Sequence, residues 1–246
     1  MSDEPVFVHG SGNTGIIWKH QTDHFAGSEA VNLPGHLSEG KACASVEAYA
    51  AWLHGDLSKK GYSKPVLAGH SLGSAIVLQY ALDYPQDVGG LILIGAGAKL
   101  RVAPHVLQII EKGIKDRDSW LAEFVEPQLR HIVDTVVDVA ARETGMDGGL
   151  RRKVLAETAR VGARVQVNDF LCCDRFNVMD RLHEIGAPTL VLSGSWDVLT
   201  PPKYGAYLAD NIEGARHLVI EGGTHLFFAE KPREANKAIE DFLREL

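Results

Sequence analysis

The chain has 246 residues, long for one average domain and short for two, so a single core carrying an inserted segment is the economical organisation. Its 45% hydrophobic and 23% charged content is that of a folded globular protein, and a net charge of −7 supplies no field to draw nucleic acid or an anionic membrane. The opening MSDEPVFVHG lacks a basic region followed by an apolar stretch, no apolar run is long enough for a bilayer, and Cys43, Cys172 and Cys173 form no disulfide framework, so a reduced cytoplasmic protein is expected.

In chain order, the first apolar run is VFV (Val6–Val8), ending at His9–Gly10, and the second is AVNL (Ala30–Leu33). A helix follows from the N-cap candidate Ser45 to the stop at Gly61. PVLA (Pro65–Ala68) leads into a helical stretch, Ser71–Tyr84, closed by Pro85, and then comes LILI (Leu91–Ile94). TLVL (Thr189–Leu192), a helix over Pro201–Asn211, HLVI (His217–Ile220) and a helix over Pro232–Leu246 complete the series. The six runs lack strict alternation, as strands buried on both faces do, and they alternate with helices. The expected fold is α/β, a doubly wound, mainly parallel sheet of about six strands.

That rhythm stops after LILI. From 98 to 185 only helical periodicity is visible, as in HIVDTVVDVAARE (His131–Glu143) and LRRKVLAETARV (Leu150–Val161), over far more residues than a crossover needs. An all-helical lid over 98–185, inserted into a core made of 1–97 and 186–246, is expected. Arg151–Arg152–Lys153 reads as its solvated face.

Two glycine patterns point away from nucleotides. LILIGAGAKL has Leu100 at the third glycine position of the dinucleotide fingerprint, and GHLSEGKA has Ala42 where a P-loop needs a magnesium-binding hydroxyl. His20 and His24 stand one helical turn apart without the carboxylate of a metalloprotease helix, and read as surface or packing residues.

GHSLG (Gly69–Gly73) falls between a strand and a helix, where G-x-S-x-G makes a nucleophile elbow. The turn is so tight that the serine backbone is strained and its neighbours must be small, which lifts the hydroxyl of Ser71 above the sheet edge. A serine nucleophile needs a histidine base and an acid to orient it, in the order Ser, acid, His, after later strands. Asp197 follows TLVLSGS and His225 follows HLVIEGG, each just beyond a strand's carboxyl end. Asp197 could instead cap the turn before TPPKY, and His225 could be a turn histidine. The loop after LILI, the other home for the acid, reads GAGAK and holds no carboxylate. An oxyanion hole needs two backbone N–H groups: Leu72, after the nucleophile, and Ser11, in the loop after VFV, are the candidates.

With HGSG, NLPGH (Asn32–His36), GHSLG, GSWDVLTPP (Gly194–Pro202) and GGTHLFFAEKP (Gly223–Pro232) in this order, the chain resembles the α/β-hydrolase superfamily over nearly its whole length, and within it small bacterial carboxylesterases and enol-lactone hydrolases. The resemblance implies a triad of Ser71, Asp197 and His225, an oxyanion hole at Ser11 and Leu72, and a helical lid over the pocket. It also implies hydrolysis of a carboxylic ester, lactone or thioester through an acyl-enzyme, with no metal or organic cofactor. A small-molecule, ester-like substrate is the expected partner, for a monomer or homodimer. WLAEFV (Trp120–Val125) and DFLCCDRF (Asp169–Phe176) would supply an apolar substrate wall. Carbon–carbon hydrolysis, acyl transfer or perhydrolysis on the same triad, and a ligand receptor on the same fold, remain as alternatives. The chain departs from the family pattern at Asn32, Leu37 and Ser74, where Asp, Gly and Gly are common. The strands that usually precede the one ending in HG have no counterpart, which leaves Ala30–Leu33 at a sheet edge expected to be covered locally or used in a dimer.

Overall fold

A computed structural model describes residues 5–129 and 146–246. Six strands, β1 (Val6–Val8), β2 (Glu29–Val31), β3 (Val66–His70), β4 (Gly90–Ile94), β5 (Thr189–Gly194) and β6 (Arg216–Ile220), form one sheet in the order β2-β1-β3-β4-β5-β6. Every neighbouring pair is parallel. The expected doubly wound sheet is therefore present. Its winding reverses between β1 and β3, where the loops leaving the two strands diverge and open a crevice at their carboxyl ends.

The central strands are buried throughout and mostly apolar because both faces are covered. Val6, Val8, Leu67, Leu91, Leu93 and Val191 point into one core layer. It packs against α2 (Val46–Lys59) and α3 (Leu72–Asp83). The intervening Phe7, Val66, Ala68, Ile92, Leu190 and Leu192 point into the other. That layer is closed by Ile17, Trp18 and Phe25, which flank α1 (Lys19–His24), and by α11 (Pro232–Leu243). This is the period of two that a pleated strand imposes. Ser45 caps α2 as expected, its hydroxyl accepting from the Ala48 N–H at 3.2 Å.

Between β4 and β5 the described residues are helical: α4 (Pro104–Lys112), α5 (Arg117–Trp120), a π-helical turn at Leu121–Val125, α6 (Glu126–Leu129), α7 (Gly148–Val161) and α8 (Ala163–Arg175). The periodic stretch His131–Glu143 lies outside the described residues. At the neck of the segment the two connecting chains meet through an antiparallel bridge, Lys99 with Asn177, and the Val178 N–H donates to the Ala98 carbonyl at 2.8 Å. Arg151, Arg152 and Lys153 are exposed. After β5 come α9 (Pro202–Asn211) and, after β6, the short α10 (Phe227–Glu230).

Strand β2 is an edge, as expected, and among the described residues no antiparallel strand is added to it. It is three residues long, and a 3-10 turn at Gly15–Trp18 lies over it, with the Gly15 N–H donating to Asn32 Oδ1 at 2.7 Å. Glu29 on the strand is paired with Lys60 and accepts from the Tyr62 hydroxyl at 3.1 Å. A short, charged, locally covered edge resists pairing with another chain.

Close approach of β1, β3 and α3 decides two glycines. A Cβ on Gly69 would sit 2.2 Å from the Gly73 carbonyl oxygen, and one on Gly73 would sit 2.2 Å from that of Val8. Both obstacles are backbone, so neither can swing away. Gly55, by contrast, lies within α2 with nothing within 4 Å of an added Cβ. Gly73→Ala is expected to lower the stability by about 1–3 kcal/mol or more. Gly55→Ala is expected to raise it by roughly 0.5–1 kcal/mol through helix propensity. Urea unfolding midpoints of the two variants check both signs.

Candidate active site

Ser71 separates β3 from α3 with φ 53° and ψ −115°, a combination that costs a side-chain-bearing residue on the order of 1–3 kcal/mol. The turn is held by the Ser71 N–H donating to the Ile94 carbonyl at 3.0 Å, and by Ser74, whose hydroxyl donates to the Ser71 carbonyl at 2.5 Å. Ser74, standing where glycine is common, thus adds a bond to the elbow. Leu72 opens α3, so its N–H belongs to the helix's first turn, where donors lack intrahelical acceptors and the dipole favours negative charge.

Asp197 and His225, 28 residues apart, meet: His225 Nδ1–H donates to Asp197 Oδ2 at 2.8 Å. The other oxygen, Oδ1, accepts from the N–H groups of Leu199 and Thr200, both at 2.9 Å. Asp197 therefore caps its own turn with one oxygen and orients the imidazole with the other. The Thr200 hydroxyl donates to Oδ2 at 2.7 Å and lies 3.1 Å from His225 Nδ1, whose proton it shares as an acceptor. Burial alone would raise the Asp197 carboxyl, but the charge and hydrogen bond of His225, with the Thr200 donors, hold it below its ordinary value.

His70, inside the elbow motif, supports this arrangement from below. Its Nε2–H donates to the His225 carbonyl at 2.9 Å, its ring lies 4.6 Å from that of His225, and its buried Nδ1 has no partner among the described residues. Protonation would place a second N–H where the described residues offer no acceptor. Burial, reinforced by the charge of His225, accordingly pushes the His70 pKa well below its usual value.

Ser11, Ser71 and His225 line one cavity of about 430 Å³ at the carboxyl ends of the strands, a volume suited to a small organic ligand. No hydrogen bond among the described residues links the Ser71 hydroxyl to His225; serine–histidine contacts of this kind often tighten only in the substrate complex. The wall includes the apolar side chains of Leu100, Val106, Val125 and Phe170 beside the polar Arg101, His105 and Gln166, and Val198 and Leu199 are exposed among its lining residues. Of the two stretches expected to form the wall, Val125 and Phe170 reach the cavity with Cys173. Trp120 instead packs behind it, its indole N–H donating to Gln166 Oε1 at 2.7 Å, and Phe176 joins the core. Among the described residues no set of three or more His, Cys, Asp or Glu side chains is placed to hold a metal ion, and no helix is long and apolar enough to cross a membrane. The three cysteines are free.

The family model for the alpha/beta hydrolase family matches residues 6–238. The chain belongs to that family. It is 25% identical over 229 residues to a pimeloyl-[acyl-carrier protein] methyl ester esterase of Neisseria meningitidis serogroup C, covering 87% of this chain and 82% of that protein. A solved thermophilic esterase superposes with a TM-score of 0.78 at 29% identity, over 98% of this chain and 90% of that one. A solved N-acyl homoserine lactone degrading enzyme does so with a TM-score of 0.78 at 25% identity, over 98% and 93%. The ester-hydrolase class of enzyme expected from the motifs is borne out at the level of family.

Sequence reasoning missed Asp169, which is fully buried on α8 and accepts three hydrogen bonds beside the loop after β1. It also missed Thr200 and the supporting role of His70. Asp169 could have been found from α8 itself: Ala163, Gln166, Asp169 and Cys173 form one buried stripe at helical spacing, with the acid in its middle.

Because the folded-state pKa of His70 is depressed, its contribution to stability is complete above about pH 6.5 and is lost as the pH falls from there toward the folded-state value. His70→Gln removes this titration. Its unfolding free energy is expected to fall less steeply between pH 7 and 5 than that of the wild type, by up to ~1.4 kcal/mol per pH unit. Parallel curves for the two proteins would show that His70 is not linked to folding.

Proposed function

We propose that the protein hydrolyses carboxylic esters, lactones and thioesters included, through an acyl-enzyme on Ser71. The observation that supports this most is the Asp197–His225 hydrogen bond at 2.8 Å beside a strained serine on the wall of a single cavity. With Nδ1–H committed to Asp197, the basic nitrogen of His225 is Nε2. It takes the proton from Ser71 as the hydroxyl attacks the carbonyl carbon, and Asp197 stabilises the imidazolium that forms. The N–H groups of Ser11 and Leu72 receive the oxyanion, a donor pair of which each member is typically worth ~3–4 kcal/mol of barrier. The imidazolium then protonates the leaving alcohol, and water activated by Nε2 releases the acid and frees Ser71.

In this reading residues 98–185 act as a lid whose inner face builds the acyl or alkyl side of the pocket. Leu100, Val106, Val125 and Phe170 favour an apolar group there. The same wall carries Arg101 and His105 and, among the described residues, no carboxylate, so a neutral or anionic ester suits it better than a cationic one.

A panel of p-nitrophenyl esters of increasing acyl length tests the proposal. Turnover is expected for short and medium chains, abolished in Ser71→Ala, and a fluorophosphonate should label Ser71. Asp197→Asn is expected to retain the fold and lower kcat by about 10⁴-fold, since the imidazole loses its tautomer control. A single stoichiometric burst without turnover would point to a receptor. Cleavage of a dienoic diketone in place of any ester would point to carbon–carbon hydrolysis.

A further inference from the structure

The loop His9–Asn13 that carries the Ser11 N–H is poor in constraints of its own. Two glycines flank Ser11, and Gly12 has a φ of +67°, so the backbone reverses direction there with little local preference to hold it. Within the loop the Asn13 N–H donates to the Gly10 carbonyl at 3.2 Å, the Asn13 side-chain amide donates to the Ser11 carbonyl at a long 3.4 Å, and His9 Nδ1 lies 2.9 Å from the Gly10 carbonyl. Further restraint, and the only bond in which a side chain accepts the Gly12 N–H among the described residues, comes from the inserted helices. Asp169 Oδ2 on α8 accepts the Gly12 N–H at 2.9 Å, the Thr14 hydroxyl donates to Glu157 on α7, and Gln166 lies where a Gly12 side chain would begin.

The Asp169 carboxylate is fully buried and is itself fixed by two further donors. The Tyr49 hydroxyl on α2 reaches Oδ1 at 3.0 Å, and His36 Nε2 reaches Oδ2 at 2.7 Å. His36 Nδ1 lies 3.1 Å from the Pro34 carbonyl, which can only accept, so both ring nitrogens of His36 carry protons and the pair is an imidazolium facing a carboxylate. His9, whose ring is 4.8 Å from that of His36, is the neutral neighbour: its Nε2 accepts the Leu33 N–H at 3.1 Å and its Nδ1–H donates to the Gly10 carbonyl at 2.9 Å. The titration directions agree. Burial lowers His36, but the hydrogen bond and charge of Asp169 outweigh it and raise the pKa, whereas burial and the charge of His36 lower that of His9.

We propose that Asp169 is a positioning residue for turnover: it fixes the Ser11–Gly12 peptide, and through it the Ser11 N–H, in the orientation that receives the oxyanion, so that the inserted helices complete the oxyanion hole of the core. The inference rests on the ester-hydrolase reading above. It makes α8 and the loop after β1 a single unit, and α8 cannot lift away without releasing Gly12.

The test compares wild type, Asp169→Ala and Asp169→Asn on a p-nitrophenyl ester, with thermal unfolding recorded for each and assays run well below every midpoint. A trifluoromethyl ketone, which forms a tetrahedral adduct with the nucleophile, reports the oxyanion site independently of turnover. Asp169→Ala is expected to lower kcat by about 10²-fold, with KM within threefold, and to weaken the ketone by a similar factor. Asp169→Asn is expected to recover most of both, because its carboxamide oxygen still accepts from Gly12 and its NH₂ group can face the Tyr49 oxygen. A folded Asp169→Ala enzyme with kcat within threefold of wild type, or a loss in kcat unmatched by the ketone, overturns the proposal. If Asp169→Ala does not fold, the wild-type Gly12 amide decides: slow hydrogen exchange supports the anchor and exchange at the rate of an open loop refutes it. A wild type that turns over no ester refutes the hydrolase reading itself, whereas an active wild type with an unaffected Asp169→Ala refutes only the role of Asp169.

Discussion

The backbone of Ser71 is the constraint around which the molecule is arranged. A residue with a side chain is held at φ 53° between a strand and a helix, and the α-helix that follows runs so close to β1 that Gly73 has no room for a methyl group against the Val8 carbonyl. That proximity brings the loop after β1 to the helix N-terminus, where a Cβ on Gly10 would lie 3.2 Å from that of Ser71. The strain is sustained by buried neighbours on both faces of β3 and by the bonds from Ser71 N–H to Ile94 and from Ser74 to the Ser71 carbonyl. Unfolding the turn would relieve little and would expose the most completely buried part of the sheet.

Two acid–histidine pairs surround this point, and they differ in what the second imidazole nitrogen meets. In the Asp169–His36 pair that nitrogen faces a carbonyl, so the proton has nowhere to go and the pair is a fixed, fully buried ion pair. In the Asp197–His225 pair no hydrogen bond among the described residues engages Nε2, and His225 lines the cavity. The same two side chains thus make a strut in one place and, among the described residues, leave an imidazole nitrogen without a hydrogen bond in the other. The distinction comes from one backbone oxygen, not from the identity of the residues.

Much of this was legible in the sequence because the sheet is covered on both faces. VFV, PVLA and LILI are apolar at every position, TLVL at all but Thr189, and each lies in or leads into a buried strand. AVNL was less clear: the strand is Glu29–Val31, and Leu33 is buried after the chain has left the sheet, so apolar content there marks packing and not pairing. The helical turns at 15–24 were missed because their buried stripe, Trp18, Gln21 and Phe25, contains a glutamine whose partners, Phe228 and Asn236, lie more than two hundred residues away. The candidate triad was readable because motif order and strand ends locate its members locally. Asp169 shows only as an acid within a buried helical stripe, and its role does not, since its partners Gly12, His36 and Tyr49 are 120 or more residues distant and nothing in DFLCCDRF announces them.

The departures from the family pattern show how local rules yield to that packing. Leu37, where glycine is common, has φ 59°, so its backbone conformation is one that glycine would adopt without strain. The loop that tolerates this leucine is the one that presents His36 to Asp169, and the Leu33 carbonyl within it accepts both the His36 N–H at 2.9 Å and the Ser38 hydroxyl at 2.6 Å. A strained residue between two such anchors stays where it is because relaxing it would pull an imidazolium away from a carboxylate with no water to replace it. The ion pair therefore stabilises the loop after β2 and, through Gly12, the loop after β1. The loops that follow the first two strands share one buried charge.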